Sequence, residues 1–161
     1  GEGEIFMGTR SGMSIRFRES NVRSMGRTAR GVRGINLRDG DTVVAMEVLQ
    51  SDATILTVTA HGYGKRTNLS EYRVQSRGGV GVINIQTTER NGGVIGLAQV
   101  TDNDELMLIT QQGKTLRMVT KDIRAIGRVT QGVKLIETDN EDHAVSIARL
   151  PDQEVDAQLK E

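Results

Sequence analysis

GTRSGMSIRFRESNVRSMGRTARGVRG, Gly8–Gly34, carries seven arginines against one acid in a chain of 161 residues with no formal net charge. Its order of residue types returns twice. Thr9, Thr59 and Thr110 each open a unit, and Gly12, Gly62 and Gly113 follow three residues later. Next come Arg16, Arg66 and Arg117, then Val22, Tyr72 and Ile123, then Arg23, Arg73 and Arg124. Gly26, Ser76 and Gly127 stand before Arg27, Arg77 and Arg128, and a Gly-Val pair follows at Gly31-Val32, Gly79-Val80 and Gly132-Val133. The strand arginines are 50 and 51 residues apart, and on this alignment the second unit is two residues short before its Gly-Val pair.

A period near fifty fits the four-stranded blade of a propeller. Ile55–Thr59 and Leu106–Thr110 read as strands covered on both faces. Met13, Ile15 and Phe17 alternate with Ser14, Arg16 and Arg18, which turns the apolar set inward and the arginines outward. Leu116 and Met118 flank Arg117 in the same way. Asp39-Gly40 and Asn91-Gly92 are hairpin signals between apolar runs, and Asp139-Asn140-Glu141 takes that place in the third unit. No stretch has the period of an amphipathic helix. The expectation is therefore an all-β, propeller-like fold. It has three four-stranded blades at about residues 4–50, 51–101 and 102–150, followed by a frayed acidic tail over 151–161. Such units bury little surface alone, and propellers close with at least about four blades, so three make an arc. The opening GEGEIF is read as the start of a piece of a longer protein.

Composition narrows the chemistry. The chain has no cysteine, hence no disulfide and no thiolate ligand or nucleophile. No apolar run approaches the ~20 residues of a membrane-spanning helix. Residues 1–80 hold 12 basic and 8 acidic side chains, whereas residues 81–161 hold 9 and 13. The 16 arginines outnumber the 5 lysines, which favours forked contacts to phosphate. Phe6, Phe17, Tyr63 and Tyr72 are the only aromatic residues, too few for a single-strand binder built on stacking platforms.

If the units are related by a rotation, the recurring cations form a curved row along one edge, matching the phosphates of bent duplex DNA. The candidate DNA contacts are Arg16, Arg18, Arg23, Arg27, Arg30, Arg33, Lys65, Arg66, Arg73, Arg77, Arg117, Arg124, Arg128 and Lys134. The same arginines equally suit ties between blades, with Arg23, Arg73 and Arg124 the first to consider. His61 and His143 lack a second ligand at metal spacing, and the acids Glu137, Asp139, Glu141 and Asp142 read as a solvated turn. GYGKRT, Gly62–Thr67, lacks the spacing of a phosphate loop, and no nucleophile–base pair can be assembled. No catalytic or metal residue is assigned.

ESNVRSMGRTARGVRGI, HGYGKRTNLSEY, GVINIQTTERNGGVIGLAQV and IRAIGRVTQGVKLI together resemble the C-terminal domain of the DNA gyrase A protein, over about Glu4 to Leu150. The resemblance implies the last three repeats of a six-bladed β-pinwheel, in which neighbouring blades share strands. It implies a module that wraps double-stranded DNA on a basic perimeter to support ATP-dependent negative supercoiling. The partners would be the rest of the gyrase A protein and the gyrase B protein in an A2B2 assembly in the bacterial cytoplasm, at the nucleoid. The active-site tyrosine, ATP site and Mg site would lie elsewhere, with no cofactor and no membrane contact in this piece. Gln75-Ser76-Arg77-Gly78-Gly79-Val80-Gly81 resembles that family's Gln-Arg-Arg-Gly-Gly-x-Gly wrapping motif, with Ser76 in place of the first arginine. The alternatives are the related domain of topoisomerase IV and a propeller-type protein-interaction module.

Overall fold

The structure, a computed structural model, describes residues 3–22, 31–139 and 141–150. The strands among them are β1 (Glu4–Thr9), β2 (Met13–Arg18), β3 (Val43–Val48), β4 (Thr54–Thr59), β5 (Tyr63–Asn68) and β6 (Val74–Gln75), then β7 (Val82–Ile83), β8 (Val94–Val100), β9 (Glu105–Thr110), β10 (Thr115–Val119), β11 (Val133–Lys134) and β12 (Ala144–Leu150). Each unit begins with one hairpin, β1–β2, β4–β5 and β9–β10. The recurring threonine and glycine make its turn. Gly12, Gly62 and Gly113 donate their N–H groups to the Thr9, Thr59 and Thr110 carbonyls at 3.1, 3.1 and 3.0 Å. Their φ angles of 91°, 85° and 87° lie where a Cβ is disfavoured. The Thr9 and Thr110 hydroxyls also accept the Met13 and Lys114 N–H groups, each at 3.1 Å.

The last strand of each unit returns beside the first. β3 pairs with β1, β8 with β4 and β12 with β9, and each pairing carries the same bulge, which leaves Val44, Ile95 and Val145 without an opposite partner. Asp39-Gly40 and Asn91-Gly92 are turns, with Gly40 and Gly92 at φ of 76° and 78°. They are not the expected hairpins, because the strands that they feed pair with β1 and β4 rather than with the preceding run.

That preceding run leaves for the neighbouring unit. β6 lies parallel to β2 (Arg16 opposite Val74), and β7 lies antiparallel to it (Ser14 opposite Val82). β11 joins β5 in the same way (Gly64 opposite Val133), and Ala125 bridges to Arg66. The expected four strands are thus met in the middle sheet, β11-β5-β4-β8. The first sheet has five and the third, β10-β9-β12, has three among the described residues, because the outermost strands come from the following unit.

The register corrects the sequence alignment. Ser14 and Gly64 are equivalent hairpin positions, so Val82 matches Val133, and the partner of Gly132-Val133 is Gly81-Val82 rather than Gly79-Val80. The second unit is then not short. Gly81 and Gly132 share positive φ, and a Cβ on either would stand 2.1 Å from the Ser14 carbonyl oxygen or 2.7 Å from that of Gly64. Ile35, Ile85 and Ile136 follow at matching places, all buried.

Two of the three core clusters among the described residues lie between units, and the third, Ile15, Phe17 and Ile35, lies within the first. Phe6, Ile55, Tyr72 and Leu97 fill the first boundary, where the Phe6 and Tyr72 rings meet edge to face at 4.9 Å. Leu56, Val58 and Val100 meet Leu106, Leu108 and Ile123 at the second. β4, between two neighbours, is buried on both faces as expected. β9 alternates between buried and half-buried residues, since only one of its faces is packed in this way. β8 touches both β3 and β12. These three strands therefore lie innermost, and each sheet runs outward to the donated strands at the rim.

Candidate nucleic-acid interface

The strand arginines were expected on the exposed face; two of them are instead built into the boundaries. Arg16 Nε and Nη2 bind Glu4 Oε2 at 2.6 and 2.5 Å, while Nη1 donates to the Leu69 and Tyr72 carbonyls of the next unit at 2.8 and 3.0 Å. Arg66 also bridges its boundary, with different partners: Nε donates to the Ile123 carbonyl at 2.9 Å, and Nη1 pairs with Asp102, which precedes β9, because Thr54 stands where the first unit has Glu4. Arg117 pairs with Glu105 alone and stays exposed, with no third-party carbonyl among the described residues. The guanidinium fork explains the recurrence. It can hold a carboxylate and a main-chain carbonyl of the next unit at once, which a lysine cannot do in a plane.

The second loop arginines stitch the other way. Arg77 reaches back to the Asn21 and Arg33 carbonyls at 3.0 and 3.1 Å, and Arg128 to the Ile83 carbonyl at 2.7 Å. Gln75–Gly81, the segment that resembles a wrapping motif, is thereby fastened to the first unit, and the Gly78 N–H donates to the Gly34 carbonyl at 2.6 Å.

Lys65 is also a correction. It is fully buried, with its ammonium on the Gly127 and Arg128 carbonyls, at a place where the other units carry Ile15 and Leu116. Burial, reinforced by the Arg128 charge and partly opposed by Glu71, lowers its pKa to about 8. Nearby, burial raises the pKa of the Tyr72 hydroxyl, which donates to Asn84 Oδ1 at 2.5 Å. The signs follow from proton linkage. Between pH 8 and about 10 the unfolded chain keeps a proton on lysine that the folded chain releases, so stability rises. Above about pH 10 the unfolded tyrosine ionises while the folded one does not, so that contribution is lost. Urea unfolding is expected to show a gain of about 2 kcal/mol from pH 8 to 10 in the native chain, absent in Lys65→Met. An equal gain in the variant would remove Lys65 as its source.

Arg18, Arg33, Arg73, Arg117, Arg124 and Lys134 are exposed. Arg73 immediately precedes rim strand β6, and Arg124 precedes the Ala125 bridge at the equivalent place. Neither Arg73 nor Arg124 enters an ion pair among the described residues. Lys134 pairs with Glu137 at 3.1 Å and lies 5.9 Å from the centre of the Tyr63 ring. Arg23, Arg27 and Arg30 lie outside the described residues. Exposed Arg10, Arg38 and Arg90 escaped the repeat criterion because their positions carry no basic residue in the other units. Among the acids read as a solvated turn, Asp142 is in fact buried. Its carboxylate accepts the Gln112 and His143 N–H groups at 3.1 and 2.9 Å, and Asp41 does the same for Ser11 and Thr42. Among the described residues no helix is long and apolar enough to cross a membrane.

Comparison with known proteins agrees with this architecture. The DNA gyrase A protein of Escherichia coli (strain K12) is 47% identical over 150 residues, 93% of this chain and 17% of that protein. The DNA gyrase A protein of Haloquadratum walsbyi (strain DSM 16790 / HBSQ001) is 46% identical over 153 residues, 94% of this chain and 18% of that protein. The chain thus spans less than a fifth of the length of these curated relatives. A crystal structure of the C-terminal domain of DNA topoisomerase IV superposes with a TM-score of 0.90 at 26% identity, covering 99% of this chain and 51% of that one. A DNA gyrase A C-terminal domain structure gives a TM-score of 0.85 at 27% identity, covering 93% and 51%. The family described as DNA gyrase C-terminal domain, beta-propeller, matches residues 3–50, 53–101 and 104–151, and the chain belongs to that family.

Proposed function

We propose that this chain binds duplex DNA along its outer rim and bends it, as half of the wrapping domain of a DNA gyrase A protein. The observation that carries the reading is the outward order of the strands. It brings Arg73 and Arg124 to equivalent exposed places at the rim of successive units. Cations repeated at one radius meet phosphates along a curved path and read backbone and deformability rather than base edges. In the whole enzyme, this segment would present DNA to a cleavage core. The catalytic tyrosine, ATP and Mg would belong to other parts of an A2B2 assembly with the gyrase B protein, in the cytoplasm at the nucleoid. The relatives at 46% and 47% identity are both DNA gyrase A proteins, which favours gyrase over topoisomerase IV.

Each phosphate contact removed lowers the log–log salt slope of duplex affinity by about 0.9. The double variant Arg73→Ala, Arg124→Ala is expected to lose about 1.8 from that slope, measured between roughly 50 and 200 mM salt. An unchanged slope would reject the rim as the DNA track.

A further inference from the structure

Tyr63 and Lys134 stand opposite each other across the second boundary, in register on β5 and β11. The matching pair at the first boundary is Met13 and Ile83, both apolar. Of the two boundaries, only the second sets a cation beside a ring at this place. Arg90 joins them from the loop before β8. Its Nε donates to the Tyr63 hydroxyl at 2.9 Å, and its guanidinium carbon lies 5.4 Å from the centre of the ring, against 5.9 Å for the Lys134 ammonium. The His61 ring donates through Nδ1 to the Arg90 carbonyl at 3.0 Å, which fixes that stretch of main chain.

Two cations thus crowd one ring, and they repel each other. The ring face offsets part of this repulsion. Glu137, 3.1 Å from Lys134, offsets little more, because its side chain is 81% exposed. Neither Nη of Arg90 enters a hydrogen bond or ion pair among the described residues, and the Tyr63 oxygen that accepts the Nε–H keeps its own proton to donate. With Gln86, Thr130 and Gln131, the three side chains line an open cleft of about 660 Å³. Among the described residues no acid lines it, so its charges are Arg90 and Lys134. The acids Asp139, Glu141 and Asp142 line a separate cleft that the same three side chains border. The acid-free cleft is edged by β11, the outermost strand of its sheet, and so lies at the rim. A tie that every boundary needs would recur at both; this cluster does not, and assembly leaves it unexplained.

We propose that Tyr63, Arg90 and Lys134 together hold one backbone phosphate of the bound duplex. This rests on the reading of the rim as a DNA track. Arg90 presents its Nη edge to one phosphate oxygen, Lys134 reaches a second, and the Tyr63 hydroxyl, oriented by the Arg90 Nε–H, donates its proton. The negative charge relieves the repulsion between the two cations. Tyr63 serves here as a hydrogen-bond donor rather than as a stacking platform.

Duplex affinity measured between roughly 50 and 200 mM salt tests it. Two cations on one phosphate count once in the log–log slope, so Arg90→Gln and Lys134→Gln together are expected to lower it by about 0.9. A loss of about 1.8 would mean two separate phosphates, and no loss would mean none; either overturns the clamp. Tyr63→Phe keeps the ring and the charges, and is expected to weaken binding about tenfold with the slope unchanged. Unaltered affinity in that variant would also overturn the three-residue clamp. The double variant Arg73→Ala, Arg124→Ala, run in parallel, separates this proposal from the one beneath it. If it loses about 1.8 while the Arg90, Lys134 pair loses nothing, the clamp is wrong and the track stands. If neither loses slope, the track falls and takes the clamp with it.

Discussion

Alanine at Gly12 is expected to cost about 4 kcal/mol of folding stability, whereas alanine at Gly113 costs about 1 to 2. Both glycines sit at nearly the same positive φ, 91° and 87°, so the backbone penalty of about 1–2 kcal/mol is common to both. The difference lies beyond the turn. At Gly12 the new methyl would stand 2.1 Å from a main-chain oxygen of the next unit, and a backbone atom in a sheet cannot rotate away as a side chain would. The boundary must open, and the Gly12 carbonyl then loses its two N–H donors, Asn84 and Ile85. At Gly113 the methyl meets no atom of the described residues within 4 Å. Urea unfolding of both variants, at concentrations where the chain is monomeric, provides the comparison, with the slope checked for two-state behaviour. Equal losses would mean that the clash at the boundary is relieved without cost.

A comparable contrast is expected among the arginines. Arg66→Ala should lose about 3 kcal/mol, and Arg117→Ala at most about 1, since exposed pairs contribute that much or less. Arg66 is 11% exposed at its side chain. Its removal leaves the Ile123 carbonyl without that donor and empties the space filled by its stem. Its carboxylate partner, Asp102, is 72% exposed and returns to water, so the loss falls short of that for a wholly buried pair. Arg117 is the same residue in the same strand position, but its pair with Glu105 is solvated. Unfolding midpoints for the two variants, at one pH and salt concentration, measure the difference. Similar losses would show that the boundary contacts of Arg66 add nothing to an ordinary surface pair.

These two contrasts explain which parts of the molecule were legible in the sequence. The Thr-x-x-Gly turns and the strands that follow them were plain, because a left-handed turn position and period-two alternation are local requirements. Strand exchange was not legible from residue patterns. Val82-Ile83 and Val133-Lys134 are two-residue strands whose partners lie about seventy positions away in the chain. The Gly79-Val80 misalignment has the same origin, since Gly78–Val82 contains two Gly-Val pairs and only the cross-unit register distinguishes them. For the cations, recurrence marks any position that every unit needs. Arg16 and Arg66 recur because each boundary needs a fork, so the periodicity that suggested a DNA track was partly the signature of assembly. Arg73 and Arg124 recur too, yet they carry no such bond among the described residues. Recurrence alone could not separate the two groups; burial does. Lys65 broke the repeat by standing where Ile15 and Leu116 stand, and nothing in its neighbours announced that an ammonium would be enclosed there.

The donated strands have a consequence for how such a protein can be cut, joined or duplicated. A break placed between sequence repeats, near residue 51, would strip β2 of its outer cover and leave β6 and β7 without their sheet. The physical module is therefore staggered against the textual one: it begins in one repeat and ends some thirty residues into the next. Gene duplication that respects only the written repeat yields pieces with one sticky edge and one loose flap. New members of the row can be accommodated only by inserting whole periods, and the two ends of any such row inherit a mutual fit.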